Sequence, residues 1–430
     1  MAPPSFAGLL AGCSSLLLPL LLLGSGTTAA PAPVPAAAAF VEALSAAAND
    51  SHWVDTWTSM PQLVEQSNMP PASFSGGGAT FRDATLRQTL HMSIGAPRIR
   101  VQISNTFGGS DLPITSASLA LPAGGKVGSN AIEPATLAAL TFDGGKPGVT
   151  VPRGQMAYSD PIDYAVEPQS MLTVTLYLAT GQPGNSITGH PGSRTTSWMQ
   201  SGNHLNATTV TGGSTKHWYY VNAVEAWAPA NTSALIILGD SITDGRGSTD
   251  DANNRWPDLV LAKLQKAGVT NLGVNNEAAG GNTVLSGGLG PPLMSRYKRD
   301  ALQQQGVKYV LIFEGVNDIG ANAGADALIN AFKTIIADCK KAGLKVFGAT
   351  ITPFGGNSYS SGGHEAVRKR VNDWILTGGA YDGTVDFAKL LADPSNPERL
   401  ASKYDSGDHL HPSVAGYQYL ADNFPTDLFK

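Results

Sequence analysis

The apolar run Ala234-Leu-Ile-Ile-Leu238 stops abruptly at Gly239-Asp240-Ser241, and small, polar and flexible residues follow. A short unbroken apolar run closed by a turn is the pattern of a strand buried on both faces, as in a parallel sheet. Open α/β sheets bind their ligands just beyond the carboxyl ends of such strands. Ser241 stands at that end. It is placed either as a nucleophile lifted off the strand or as a cap for the helix that follows. The choice depends on what the rest of the chain brings to the same rim.

From residue 234 onward, apolar strands alternate with helical patterns. Strand 234–238 precedes a helix predicted over 256–267, a strand near 271–276 and a helix around 293–304. Strand 307–313, helix 325–341, strand 344–351, helix 364–376, strand 384–387 and a last helix over 414–423 complete the series. Repeated βα units of this length form a parallel sheet with helices on both faces, a three-layer α/β/α arrangement.

Residues 51–230 read differently. Leu86, Leu90, Met92 and Ile94 fall on one face of a period-two pattern, with Thr85, Arg87, Thr89 and His91 on the other. Ile99, Val101 and Ile103, and again Leu172, Val174, Leu176 and Leu178, repeat the alternation between Gly-Gly turns. Short alternating strands with regular turns predict a β-sandwich, jelly-roll-like domain over 51–230, followed by an α/β domain over 231–430. The aromatic clusters His52-Trp-Val-Asp-Thr-Trp57 and Lys216-His-Trp-Tyr-Tyr220, with Trp198 and Trp227, fit the core of that sandwich or a surface that stacks on sugar rings.

A chain of 430 residues has room for two such domains. Its net charge of -5 supplies no basic field for nucleic acid. The first thirty residues contain no Asp, Glu, Lys or Arg, and the mostly apolar 9–23 is followed by Gly24-Ser-Gly-Thr-Thr-Ala-Ala30. This is the pattern of a secretory signal peptide over 1–30, too short and too broken by Pro19 for a membrane span. No membrane insertion is expected after its removal. A Pro/Ala-rich leader covers 31–50, and Asn49, Asn206 and Asn231 fit the N-glycosylation pattern of an exported protein. Cys13 falls in the signal segment; Cys339, on the core face of its helix, reads as packing.

A serine nucleophile needs a base, an acid to orient it and donors for an oxyanion. Asp405-Ser-Gly-Asp-His-Leu-His-Pro412 supplies Asp408 three residues before His411, a spacing that lets the carboxylate reach the ring Nδ1 and leaves the other nitrogen for the serine. His409, the rival base, has no Asp three residues upstream. Asn317 follows strand 307–313 and has an amide to donate, though Asn is also common in turns. Gly280-Gly281, after the second strand, offers an accessible backbone N–H or is simply a loop. Asp244, Asp250, Asp251 and Asp258 follow no calcium-loop spacing, and Gly245-x-Gly247 is too incomplete for a nucleotide loop, so neither metal nor cofactor is expected.

Gly239-Asp-Ser-Ile-Thr243, a glycine after the second strand, Gly315-Val-Asn-Asp318 and Asp408-His-Leu-His411 resemble the four blocks of the SGNH (GDSL-type) hydrolase superfamily, in its order and spacing. The resemblance covers residues 233–430 and implies a flavodoxin-like sheet of five parallel strands. It also implies Ser241 as nucleophile, His411 as base and Asp408 as its orienter. The Ser241 N–H, Gly281 and Asn317 would be the oxyanion donors. The β-rich half resembles the region that precedes the hydrolase domain in some secreted microbial and fungal members. The expected activity is hydrolysis of carboxylic esters through an acyl-enzyme, on a small ester or an acylated polysaccharide, with O-acetyl groups preferred. A lipase-like enzyme for longer acyl chains and a non-catalytic carbohydrate-binding protein are the alternatives.

Overall fold

The computed structural model describes residues 50–429. The expected signal segment, the leader up to residue 49 and the glycosylation candidate Asn49 lie outside the described residues.

Two large antiparallel sheets, with three smaller ones of two or three strands, build the β-rich part. One runs Ser51–Thr58, Val221–Pro229, Ile99–Ser104, Met156–Tyr158; the other runs Gly213–Thr215, Ser197–Ser201, Ala84–His91, Met171–Leu178, Ser116–Ala120, Ala138–Leu140. The alternation dictates the pairing: Leu86 lies opposite Leu176 and Leu90 opposite Leu172, and these side chains are wholly buried in one core with Ile99, Val101 and Ile103. The opposite face of Ala84–His91 is buried too, which alternation alone does not anticipate. Arg87 is wholly buried because its guanidinium donates to the carbonyls of Asn130, Ala207 and Thr208 and to Thr175 Oγ1. Loops thus lie over that face, tied down by a charged side chain. Trp57, Trp218, Tyr219 and Tyr220 are buried in the sandwich, with Trp57 and Trp218 edge to face at 4.9 Å.

The α/β part holds five parallel strands, labelled in chain order: β1 Ser233–Gly239, β2 Leu272–Ala278, β3 Val307–Phe313, β4 Lys345–Ala349 and β5 Gly383–Val385. Their spatial order is β2-β1-β3-β4-β5, the flavodoxin-like order, with β1 next to the edge strand. Ala234 to Leu238 are wholly buried, as a strand between two helical layers requires; each such aliphatic side chain contributes about 1.5–3 kcal/mol. The long helices are α1 Trp256–Lys266, α2 Ala325–Lys341, α3 His364–Thr377 and α4 Val414–Asp422. α1 packs on α4 and α2 on α3. On α2, Leu328, Phe332, Ile335, Ile336 and Cys339 form the inward stripe, and burial pushes the Cys339 thiol up to about 12, so it sits as a neutral packing group.

Two elements differ from the sequence pattern. The helix predicted over 293–304 is α-helical only over Leu293–Tyr297 and widens into a π-turn over Lys298–Leu302, where Asp300 turns inward to Arg296 and Arg299. Strand β5 stops at Val385 because the Asp386 carboxylate accepts from the Lys389 N–H and from Thr350 Oγ1, starting a short helix at Phe387.

The β-rich part covers the edge of the parallel sheet. Strand Ser51–Thr58 lies against β2, and Ser59 bridges Asn276 in parallel. Asn275 Nδ2 donates to the Asp55 carbonyl at 3.0 Å, and Asp55 Oδ2 accepts from the Gln305 N–H at 2.8 Å. An edge strand left open would present unpaired backbone groups; here they meet the sandwich.

Candidate active site

The helix-cap reading of Ser241 is settled by its neighbour. Asp240 Oδ1 accepts from the Ile242 N–H at 3.0 Å and so caps the short helix Ser241–Asp244. Ser241 Oγ is left to another partner and lies 2.7 Å from His411 Nε2. On the far side of that ring, Nδ1 lies 2.6 Å from Asp408 Oδ2. Nδ1–H donating to the carboxylate leaves the Nε2 lone pair facing the serine hydroxyl, the tautomer a general base requires.

Asp408 is held in place independently, since its Oδ1 accepts from the N–H groups of Leu410 and His411. Burial pushes the Asp408 carboxyl up, but those two N–H groups and the His411 ring outweigh it and hold it at about 2. Burial pushes the His411 pKa below its ordinary value, with Arg246 and Arg194 acting in the same direction and Asp408 opposing. That shift favours the neutral ring. His409 points elsewhere: it is exposed and bonds Asp405 through Nδ1 at 2.5 Å.

Gly281 and Asn317 reach the same rim. Both line a cleft of about 340 Å³ with Ser241 and His411. Gly281 has φ of +67°, and a Cβ there would press on Leu289 at 3.1 Å, so glycine keeps its N–H at the surface of the cleft. Gly280 lines the cleft as well. The N–H groups of Ser241 and Gly281 have no hydrogen-bond partner among the described residues. Asn317 Nδ2 donates to the Asn282 carbonyl at 2.8 Å, and its Oδ1 accepts from the Tyr359 hydroxyl at 3.2 Å. These two bonds fix the amide flip and leave one N–H of the amide to donate. Asp318 accepts from the N–H groups of Val284 and Leu285 and so ties the β3 loop to the Gly281 loop.

A buried arginine braces these loops from below. Arg296, wholly buried, donates to the carbonyls of Gly239 and Glu277 and to Asn282 Oδ1, and pairs with Asp300 and Glu314 at 3.2 Å each. Burial pushes Asp240 up to about 7 and Glu314 up to about 8, with Arg296 opposing both.

The β-rich part supplies one wall of the cleft through Gln62, Glu65, Asn68, Pro191, Gly192 and Arg194. It also grips the Ser241 segment. His190 Nε2 lies 2.9 Å from Asp244 Oδ1, Nδ1 lies 3.0 Å from the Met60 carbonyl, and the ring stacks on Trp218. Gly192 sits so close to the Asp244 carboxylate that a Cβ would overlap it. Sequence reasoning passed over His190, Arg194, Arg246 and Tyr359. The signals available were the acid at Asp244, three residues after Ser241, and the cationic residue at 246; their partners lie too far away in the chain to be read from spacing.

The four acids after Ser241 take separate partners: Asp244 with His190, Asp250 with Lys216, Asp251 with Thr196 and Asp258 with Arg255. Among the described residues, no group of three or more His, Cys, Asp or Glu is placed to hold a metal ion. None of Trp53, Trp57, Trp198, Trp218 or Trp227 lines the cleft. Asn206 and Asn231 are exposed. Among the described residues no helix is long and apolar enough to cross a membrane.

Residues 237–419 match the model of the GDSL-like Lipase/Acylhydrolase family. No curated protein matches the chain in sequence. Among solved structures, a putative lipolytic protein of the G-D-S-L family from Desulfitobacterium hafniense DCB-2 is 20% identical, with 44% of this chain and 97% of that one covered and a TM-score of 0.36. A putative acylhydrolase from Bacteroides fragilis NCTC 9343 is 20% identical over 45% and 84% of the two chains, with a TM-score of 0.34. The acetyl xylan esterase AlAXEase is 21% identical over 44% and 96%, with a TM-score of 0.35. With the four sequence blocks and the sheet order already described, the family match identifies the C-terminal part of this chain as an SGNH (GDSL-type) hydrolase domain.

Proposed function

We propose that this protein is a secreted serine esterase that cleaves short acyl esters, O-acetyl groups above all, from carbohydrates. The observation that carries the reading is the continuous chain Ser241 Oγ, His411 Nε2, His411 Nδ1, Asp408 Oδ2, with steps of 2.7 and 2.6 Å, opening into one cleft. His411 takes the Ser241 proton as Oγ attacks the ester carbonyl. The N–H groups of Ser241 and Gly281 and the Asn317 amide receive the developing oxyanion. His411 then hands the proton to the departing alcohol. A water, deprotonated by the same ring, cleaves the acyl-enzyme and restores the serine. Each oxyanion donor contributes about 3 kcal/mol to the transition state.

The cleft favours the substrate class. Its aliphatic lining is limited to Leu289, Leu410 and Pro191, while Gln62, Asn68, Glu65 and Tyr359 offer hydroxyl-binding groups. Such a wall suits a sugar and a small acyl group better than a long acyl tail. Export is supported by the uncharged, apolar segment at residues 1–30 and by exposed glycosylation candidates at Asn206 and Asn231.

Ser241→Ala tests the reading: it is expected to abolish hydrolysis of nitrophenyl acetate with an unchanged circular dichroism spectrum, and undiminished activity would refute it. A nitrophenyl ester series of rising chain length should fall in kcat/KM beyond the shortest acyl groups. A rise with chain length would favour the lipase-like alternative.

A further inference from the structure

We infer that Arg194, with Arg246 in the same cleft, holds an anionic substituent on the alcohol half of the substrate, so that the favoured substrate is an O-acylated uronic acid unit of a polysaccharide. The inference rests on the ester-hydrolase reading and narrows its substrate.

Arg194 comes from the β-rich wall of the cleft, just ahead of strand Ser197–Ser201. Its backbone lies in the left-handed region at φ of +50°, and its carbonyl accepts from the Asp251 N–H at 2.8 Å. Its guanidinium makes no ion pair or hydrogen bond among the described residues, and its Nε is buried with no acceptor. That is unlike the buried arginines elsewhere in the molecule. Arg87 is met by three carbonyls, Arg255 by Asp258, Arg296 by Asp300 and Glu314, and Arg368 by Glu365. A half-buried guanidinium with unused donors is costly unless something brings it acceptors, and its fork matches the two oxygens of a carboxylate.

The second cation is as loosely held. Arg246 lines the same cleft, is mostly exposed, and has Asp408 as its nearest carboxylate at 3.8 Å. Acids that face the cleft are already committed: Glu65 accepts from Gln62 Nε2 at 2.6 Å and Asn68 Nδ2 at 3.0 Å, and Asp244 is bonded to His190. The cleft therefore presents one guanidinium without a partner among the described residues, Arg194, and a second, Arg246, held only by a long ion pair to Asp408.

Their position assigns them to the alcohol. His411 must lie beside the departing oxygen to return its proton, both arginines line the cleft with that ring, and Arg246 Nε lies 3.8 Å from the Asp408 carboxylate that the ring bonds. A carboxylate carried by the alcohol, a bond or two from the acylated hydroxyl, would sit in the cleft that both arginines line. A hydroxyl-rich ring bearing that carboxylate also suits the amides of Gln62 and Asn68 on the same wall.

The test compares one polymer with and without its charge. Acetate release from acetylated polygalacturonate is measured before and after methyl esterification of its carboxylates, which leaves the acetyl groups and sugar rings unchanged. Wild-type enzyme is expected to prefer the charged form by about tenfold or more in kcat/KM, as one charge-assisted pair would give. Rising ionic strength should erode that ratio. Arg194→Gln should bring it to within about twofold of unity, Arg194→Lys should keep part of it, and Arg246→Gln should lower it to an intermediate value. If Arg194→Gln does not fold, Arg246→Gln and the salt series decide. Hydrolysis of nitrophenyl acetate with no preference for the charged polymer overturns the inference alone. A folded Arg194→Gln variant that keeps the wild-type ratio does the same. Wild-type enzyme inactive on both polymers and on nitrophenyl acetate overturns the ester-hydrolase reading, and this inference with it.

Discussion

His190 Nε2 lies 2.9 Å from Asp244 Oδ1, with both side chains buried, so a histidine of the sandwich is bonded to the short helix that begins with Ser241. The β-rich part is thereby built into the site as well as lying beside it. His190 has acceptors at both ring nitrogens, the Met60 carbonyl and the Asp244 carboxylate, so the pair needs two protons between them to satisfy both bonds.

Removing the histidine leaves a buried carboxylate without its partner. His190→Ala is expected to lower stability by about 3 kcal/mol and to reduce kcat, because the Ser241 segment loses its tether. Urea unfolding and nitrophenyl acetate kinetics on the same preparation check both. His190→Gln, which keeps a donor, should recover part of each loss.

The pH dependence follows from His411. The ring must be neutral to act as base, and burial with the two arginines lowers its pKa from the ordinary value. Activity should therefore rise with pH with its midpoint below about pH 6.5, the ordinary imidazole value. Arg246→Gln removes one of the charges that oppose the imidazolium and should move the rise to higher pH. A profile of kcat/KM against pH for both proteins reads the shift.

The proposed oxyanion role of Asn317 predicts a kinetic signature of its own. Asn317→Ala should lower kcat by about 10²–10³ with little change in KM, since the donor acts on charge that develops in the transition state. Tyr359→Phe, which frees the Asn317 carbonyl oxygen to rotate, should give a smaller loss of the same kind.

Glu314 predicts how stability changes with pH. Burial raises its carboxyl to about 8 in the folded chain, against about 4.3 when unfolded. Between those values the folded state binds more protons, so this group's contribution is full below about pH 4.3. It is lost as pH climbs through about 8. Glu314→Gln should flatten that fall, measured as the thermal midpoint at a series of pH values from 5 to about 9. An equal fall in the variant would place the effect on other groups.

What the sequence made legible was local in the chain. Strand β3 and helix α2 were read with their observed ends because the apolar run 307–313 and the 3.6-residue stripe along 325–341 each contain their own signal. The pairing of Asp408 with His411 was equally legible, being three residues long. The buried face of Thr85, Arg87 and Thr89 was not, because it is closed by loops some 40 to 120 residues away that the alternation does not encode. The same distance hid His190 from Asp244 and Arg194 from the cleft. In these last two cases one partner sits in the sandwich and the other in the α/β part, and no spacing rule connects them.

The proposed nucleophile can be read directly. One equivalent of a fluorophosphonate probe, incubated with the folded protein, is expected to label each chain once, on the peptide that carries Ser241, and His411→Ala should suppress the labelling by at least about a hundredfold. Labelling at another residue, or an active protein that remains unlabelled at Ser241, would contradict the assignment of Ser241 as the serine that forms the acyl-enzyme.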